Sequence, residues 1–195
     1  MTEQDKKGAF PCCHTIHCSL ADRELWFAVD LGDANRALEA LRQGADPNSF
    51  NDLVFILHRA VAMNLPTVVD ALIKSKADIE QTNRSGTTAL FRAVYQRNVT
   101  LLQLLLDAKA DVNTTNPTGW TPLMESSCQH FHVGVALLLE HKADPSMKNK
   151  AGTTALDAAL KRRMPCNPQA ELATISLLVP VPTAPRAPWP QIVQK

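Results

Sequence analysis

The sequence predicts an all-α solenoid: a row of stacked helix-turn-helix units joined by hairpin-like loops. Two sets of markers and the composition predict it. Gly86, Gly119 and Gly152 lie 33 residues apart, as do Thr88, Thr121 and Thr154, Leu90, Leu123 and Leu156, and Asn83, Asn116 and Asn149. An Ala-Asp pair recurs at 45–46, 77–78, 110–111 and 143–144, at intervals of 32, 33 and 33. Two independent markers with one period mean units that bury their apolar faces only against each other. The 195 residues are 45% hydrophobic but only 5% aromatic, so the apolar surface is mostly Leu, Ala and Val, which suits close helix packing.

Taken in order, residues 1–21 read as a Cys/His-containing leader. The repeat domain spans 22–179 in five units, 22–50, 51–82, 83–115, 116–148 and 149–179, the first and last degenerate. A unit opens on a turn cluster, "NRSG" at 83–86 and "NPTG" at 116–119, in which Asn and Gly are read as supplying positive φ. Thr88 and Thr121 stand at N-cap positions, where a side-chain oxygen accepts from free N–H groups. Pro122 falls at the first helical position, where a missing N–H costs nothing. A short first helix is expected over about 89–97 and 122–130.

A second helix carries the apolar face: Leu101, Leu102, Leu104, Leu105 and Leu106 in one unit, Val133, Val135, Leu137, Leu138 and Leu139 in the next. The Ala-Asp loop closes the unit. The fifth unit is stretched by "MPCNPQ", where Pro165 and Pro168 are expected to break the helix before a terminal capping segment, "LATISLLV". Residues 180–195 are Pro-rich and aperiodic, a spacer or extended tail. Two P-x-x-P patterns, Pro182 to Pro185 and Pro185 to Pro188, lack the flanking basic residue that SH3 domains prefer.

"GWTPL" at 119–123 and "LLLDAKADVN" at 104–113 carry a resemblance. The chain resembles the ankyrin repeat, whose signature contains Thr-Pro-Leu-His and Gly-Ala-Asp. The resemblance implies a curved, L-shaped stack without catalytic groups, whose partners lie against the hairpin tips and first helices. It also exposes departures. The loop Gly survives only as Gly44, its counterparts being Lys76, Lys109 and Lys142. If these lysines are left-handed, each costs on the order of 1 kcal/mol. Thr and His never coincide: His58 is matched with Phe55, whereas Thr88, Thr121 and Thr154 are matched with Phe91, Met124 and Asp157. The Thr–His side-chain bond of the family is therefore expected to be absent throughout.

By position, the resemblance implies partner contacts from Arg84, Ser85, Thr87, Tyr95 and Gln96 in the third unit, and from Pro117, Thr118, Trp120, Cys128 and Gln129 in the fourth. The fifth adds Lys148, Lys150 and Lys161. Tyr95 and Trp120 are the natural anchors, because aromatics dominate interface energetics. Against this stand a Trp120 that simply packs on the neighbouring turn and lysines that form a solvated face. Leu105 and Asn113 fit the spacing at which the family's loop asparagine is hydroxylated by an oxygenase; the competing reading is a loop-stabilising Asn113.

Other classes are disfavoured by the residues themselves. Net charge is +1, from 20 basic and 19 acidic residues, without the surplus that a nucleic-acid binder uses to neutralise phosphates. No apolar run approaches the ~18 residues of a membrane span. The polar start MTEQDKKGAF and the odd count of five Cys point to an intracellular protein, in cytoplasm or nucleus, with reduced thiols. There is no G-x-S-x-G, no phosphate-cradling glycine loop and no H-E-x-x-H, so neither an enzyme nor a cofactor or small-molecule substrate is expected. His130 and His132 read as caps and loop contacts, and Cys128 has no local activator.

The one cluster of metal-ligand types is "PCCHTIHCSL", with Cys12, Cys13, His14, His17 and Cys18. It lacks the paired, separated ligands of structural zinc sites. It is read as an incidental leader, beside a metal site completed by another chain and S-acylation of Cys12 and Cys13. The function these readings favour is a non-catalytic module that binds another protein through the concave face of the stack. The alternative is an adaptor bridging two partners, with repeats on one side and the tail or leader on the other, as in ubiquitin-ligase or signalling assemblies. A metal-dependent regulator or enzyme would rest on residues 12–18 alone.

Overall fold

Five helix pairs follow one another along the chain in the computed structural model, which describes residues 19–51, 54–161 and 168–179. The leader residues Cys12, Cys13, His14, His17 and Cys18, the loop around Pro165 and the tail 180–195 lie outside the described residues. The pairs are α1 (Leu20–Leu31) with α2 (Ala34–Arg42), α3 (Ile56–Ala62) with α4 (Pro66–Lys74), α5 (Ala89–Tyr95) with α6 (Val99–Asp107), α7 (Pro122–Cys128) with α8 (His132–Glu140), and α9 (Ala155–Lys161) with α10 (Pro168–Leu178). First helices touch first helices in the order α1, α3, α5, α7, α9, and α2, α4, α6, α8 and α10 stack the same way. No named strand occurs among the described residues; a single antiparallel bridge joins Phe50 to Phe55. The result is the all-helical repeat solenoid that the period predicts.

The first helices begin where the sequence places a cap. Thr88 Oγ1 accepts from Phe91 N at 3.5 Å and Thr121 Oγ1 from Met124 N at 3.2 Å. Ser19 and Asp22 form a reciprocal capping box, so α1 starts two residues ahead of residue 22. Thr154 departs from expectation. Its hydroxyl donates to Asp157 Oδ2 at 2.8 Å and its amide to the same oxygen at 2.9 Å, while Asp157 N donates back to Thr154 Oγ1 at 3.2 Å. No Thr–His side-chain bond occurs among the described residues, but in the last unit the Asp157 carboxylate reaches the hydroxyl that an imidazole would have met.

The first helices also end earlier than the sequence suggests. Residues 97 and 130 do not extend them, because Arg97 (φ 55) and His130 (φ 50) are left-handed and terminate the turn. Asn64 (φ 56) does the same after α3. After the second helices, Lys76, Lys109 and Lys142 hold φ of 65, 66 and 66, as the missing loop glycines imply. In the turns, positive φ belongs to Gly86, Gly119 and Gly152 and not to the asparagines. Pro168 does not interrupt a helix; it is the first residue of α10.

One apolar core runs the length of the stack. Leu57, Leu90 and Leu123 are the same residue of successive first helices, each almost fully buried. Ala60 and Ala93 beside them are small enough for neighbouring helices to approach. In α6, Leu101, Leu102, Leu105 and Leu106 are buried and Leu104 is half-buried. In α8, Val135 and Leu138 are buried one turn apart, whereas Val133 is exposed; two residues from Val135 it points some 200° away around the helix.

The Ala-Asp loops are joined by a relay of hydrogen bonds. Asp22 Oδ1 accepts from Asp46 N (2.6 Å), and Asp46 Oδ1 from Asn48 N (2.9 Å). Asn48 Oδ1 accepts from Asp78 N (2.7 Å), and Asp78 Oδ1 from Glu80 N (3.0 Å). Glu80 Oε1 accepts from Asp111 N (2.8 Å), and Asp111 Oδ1 from Asn113 N (2.9 Å). Asn113 Oδ1 accepts from Asp144 N (2.9 Å), and Asp144 Oδ1 from Ser146 N (2.8 Å). The amides of Asp78, Asp111 and Asp144 are each satisfied by the unit before, and that of Asp46 by Asp22 of its own unit.

Candidate functional site

The turns that lead into the first helices, and the C-terminal ends of those helices, carry the residues singled out from the sequence. Each turn is organised by its asparagine. Asn83 Oδ1 accepts from Ser85 N (2.9 Å) and Thr87 N (3.1 Å). Asn116 Oδ1 accepts from Thr118 N and Trp120 N, each at 3.0 Å. Asn149 Oδ1 accepts from Ala151 N and Thr153 N, each at 2.9 Å. These are Asx turns, and they explain why Asn recurs at this place without needing a left-handed backbone. Neighbouring turns touch: Lys150 N donates to Thr118 O at 3.1 Å.

The residues singled out from the sequence divide into two groups. Arg84, Ser85, Pro117, Thr118, Lys148, Lys150, Lys161 and Tyr95 are exposed, Tyr95 by 61%. The others are engaged within the stack. Gln96 caps α5 and its Nε2 donates to Ala62 O at 3.0 Å, crossing to the previous unit. Gln129 donates to Glu125 Oε1 at 2.7 Å. Trp120 is half-buried and packs on the core, and Cys128 is half-buried. The Thr87 carbonyl meets His58 Nε2 at 3.0 Å. Asn113, half-buried, uses its side-chain oxygen in the loop relay, the loop-stabilising role.

Sequence reasoning passed over a second set of residues here. A cavity of about 200 Å³ lies between α3 and α5, lined by Val54, His58, Arg59, Ala62, Asn83 and Arg92. Arg59 and Arg92 occupy the same place in successive units, and that spacing of 33 was visible in the sequence. Arg59 Nε bonds Asp30 Oδ1 at 2.7 Å. The Arg92 guanidinium stands 6.0 Å from the centre of the Tyr95 ring. His58 is 3% exposed, and its Nδ1 has no hydrogen-bond partner. Phe55 accounts for that: the hydroxyl a Thr would present to the imidazole is gone. Burial pushes the His58 imidazole below its ordinary pKa; the bond to the Thr87 carbonyl opposes the shift and the Arg92 charge reinforces it.

Two carboxylates are also held below their ordinary range. Asp157 is lowered by hydrogen bonds from the Thr154 amide and hydroxyl, and Asp144 by those from Ser146. Both are solvent-facing caps. Among the described residues, no group of three or more His, Cys, Asp or Glu is arranged to hold a metal ion, and no helix is long and apolar enough to cross a membrane.

A family model described as "Ankyrin repeats (3 copies)" matches residues 25–116 and 97–166, well over half of the chain. No curated protein matches it.

Proposed function

The chain belongs to the ankyrin-repeat family, and from that premise we propose that it is a non-catalytic module that holds a partner protein against its concave, first-helix face. Ankyrin repeats are in general protein–protein interaction modules. The observation that carries the finer reading is Tyr95, a large aromatic side chain 61% exposed at the C-terminal end of the first helix α5. Stacking does not bury it, and rigid aromatics are what interfaces use as anchors. Arg84, Ser85, Pro117, Thr118, Lys148 and Lys150 are exposed on the turns that lead into the first helices and complete the proposed face.

The test compares proteins cross-linked to wild type with those cross-linked to Tyr95→Ala and to Arg84→Glu/Lys150→Glu, each first shown to keep its helical circular dichroism. Loss of the same partner from both variants is expected. Identical partner sets for all three would show that the face is misplaced. The adaptor alternative needs a second contact in residues 1–18 or 180–195; a chain lacking both segments that retains every partner removes it.

A further inference from the structure

We infer that the cavity between α3 and α5 receives a carboxylate side chain of the partner, so that the segment held by this face is acidic and extended. The inference rests on the first-helix face being the binding surface and adds the chemistry of what binds there.

The first argument is the donor set. Arg59 and Arg92 come from neighbouring helices and line one cavity. Guanidinium groups present planar pairs of N–H donors that match the two oxygens of a carboxylate. The second is charge balance. Asp30 pairs with Arg59, but the two side chains are 44% and 40% exposed, where such a pair is weak. Among the described residues, no carboxylate lies within ion-pair distance of Arg92. The turn 83–88 that adjoins the cavity adds Arg84 and no acidic residue, and the turns 116–121 and 148–154 add Lys148 and Lys150; the one acidic residue of the turn leading into α3 is Asp52, outside the described residues. One unit further on, Glu125 stands where Arg59 and Arg92 stand in theirs, and it bonds Gln129, so the pair of cations is not carried on to the next unit.

The third argument is size and polarity. At about 200 Å³ the cavity falls below the roughly 300–1,000 Å³ of small-molecule sites and suits one side chain. His58, Arg59, Asn83 and Arg92 on its wall make the cavity polar. Tyr95, 6.0 Å from Arg92, supplies a flat surface for the residues flanking the carboxylate. An acidic segment is also drawn to this side over distance, because fields from several like charges add.

The test is panning a random peptide display library on the full chain. Selected peptides are expected to share one Asp or Glu. Replacing it with Asn or Gln in the synthetic peptide should weaken binding about tenfold or more, as loss of a charge-paired contact does. Arg92→Ala and Arg59→Ala should weaken it comparably, with melting temperatures unchanged. The peptide change should add little once Arg92 is Ala, and Arg92→Lys should restore only part of the loss. Peptides without a shared acidic residue, acidic peptides indifferent to both arginine variants, or a library yielding no binder overturn the inference. Peptides lost on Tyr95→Ala yet indifferent to Arg59 and Arg92 leave the binding face standing and remove the carboxylate.

Discussion

The turn tips and the ends of the second helices share one backbone conformation and carry different residues. Gly86 and Gly119 have φ of 67 and 81 at the tips; Lys76, Lys109 and Lys142 have φ of 65, 66 and 66 at the helix ends. The difference is what surrounds them. A Cβ on Gly86 would sit 2.6 Å from Pro117 Cγ, and one on Gly119 would sit 3.0 Å from the Lys150 amide. The tips are pressed together by stacking, whereas the lysines are exposed. At Gly86 and Gly119 crowding and a left-handed backbone coincide, so a side chain is opposed twice; at the lysines, as at Gly32, Gly44 and Gly152, only the backbone opposes it. Gly152 is the uncrowded case among the tips: no described turn follows it, and its Cβ would meet nothing within 4 Å.

The largest effect expected from this comparison is on Gly119→Ala, with Gly86→Ala close behind. Each should lose about 2–4 kcal/mol in urea denaturation, combining left-handed strain with overpacking. The Gly119 neighbours are backbone atoms that cannot rotate away. The Gly86 neighbour is a proline ring, so Pro117→Ala should restore part of the Gly86→Ala loss and none of the Gly119→Ala loss. Gly152→Ala should cost only about 1 kcal/mol, the strain alone. Equal losses at 86 and 152 would break the comparison. Smaller still, Lys109→Gly should stabilise by about 0.5 kcal/mol, since relief of strain is partly offset by the freedom glycine gains in the unfolded chain. A clear fall in melting temperature would contradict the conformation at residue 109.

A last and milder effect concerns the tether on one tip. His58 holds the third unit's turn through the Thr87 carbonyl, a contact that Phe91 and Met124 cannot make from their own units. Its pKa is lowered on folding, so its contribution is complete above the unfolded imidazole value of about 6.5. That contribution fades as pH falls from there toward the folded value, because the unfolded chain binds the proton more readily. Chemical denaturation of wild type and His58→Gln across this range should show the pH slope only in wild type.

Much of this was legible from the period. Residues repeating at 33 must occupy equivalent places, so the caps at Thr88 and Thr121, the left-handed lysines and the buried leucine column followed from counting. What escaped depended on side-chain direction between units. Gln96 read as surface, but it reaches the Ala62 carbonyl; Trp120 read as either an anchor or a packed side chain, and it packs on the core. Asp157 read as a lost histidine, whereas a carboxylate makes the same local bond by a shorter path. The left-handed Asn64, Arg97 and His130 carry no glycine to announce them. Arg59 and Arg92 looked like ordinary charges until two helices placed them on one cavity.

The relay from Asp22 to Ser146 gives the molecule a mechanical character. Tension applied along the stack would pass through every rung in series, like load through the links of a chain. Each unit leans only on its neighbours, through these rungs and through the core packing and cross-unit bonds beside them. Held at its two ends in a force spectrometer, the protein should therefore pay out length in steps of one helix pair, shedding terminal pairs while the interior keeps its spacing.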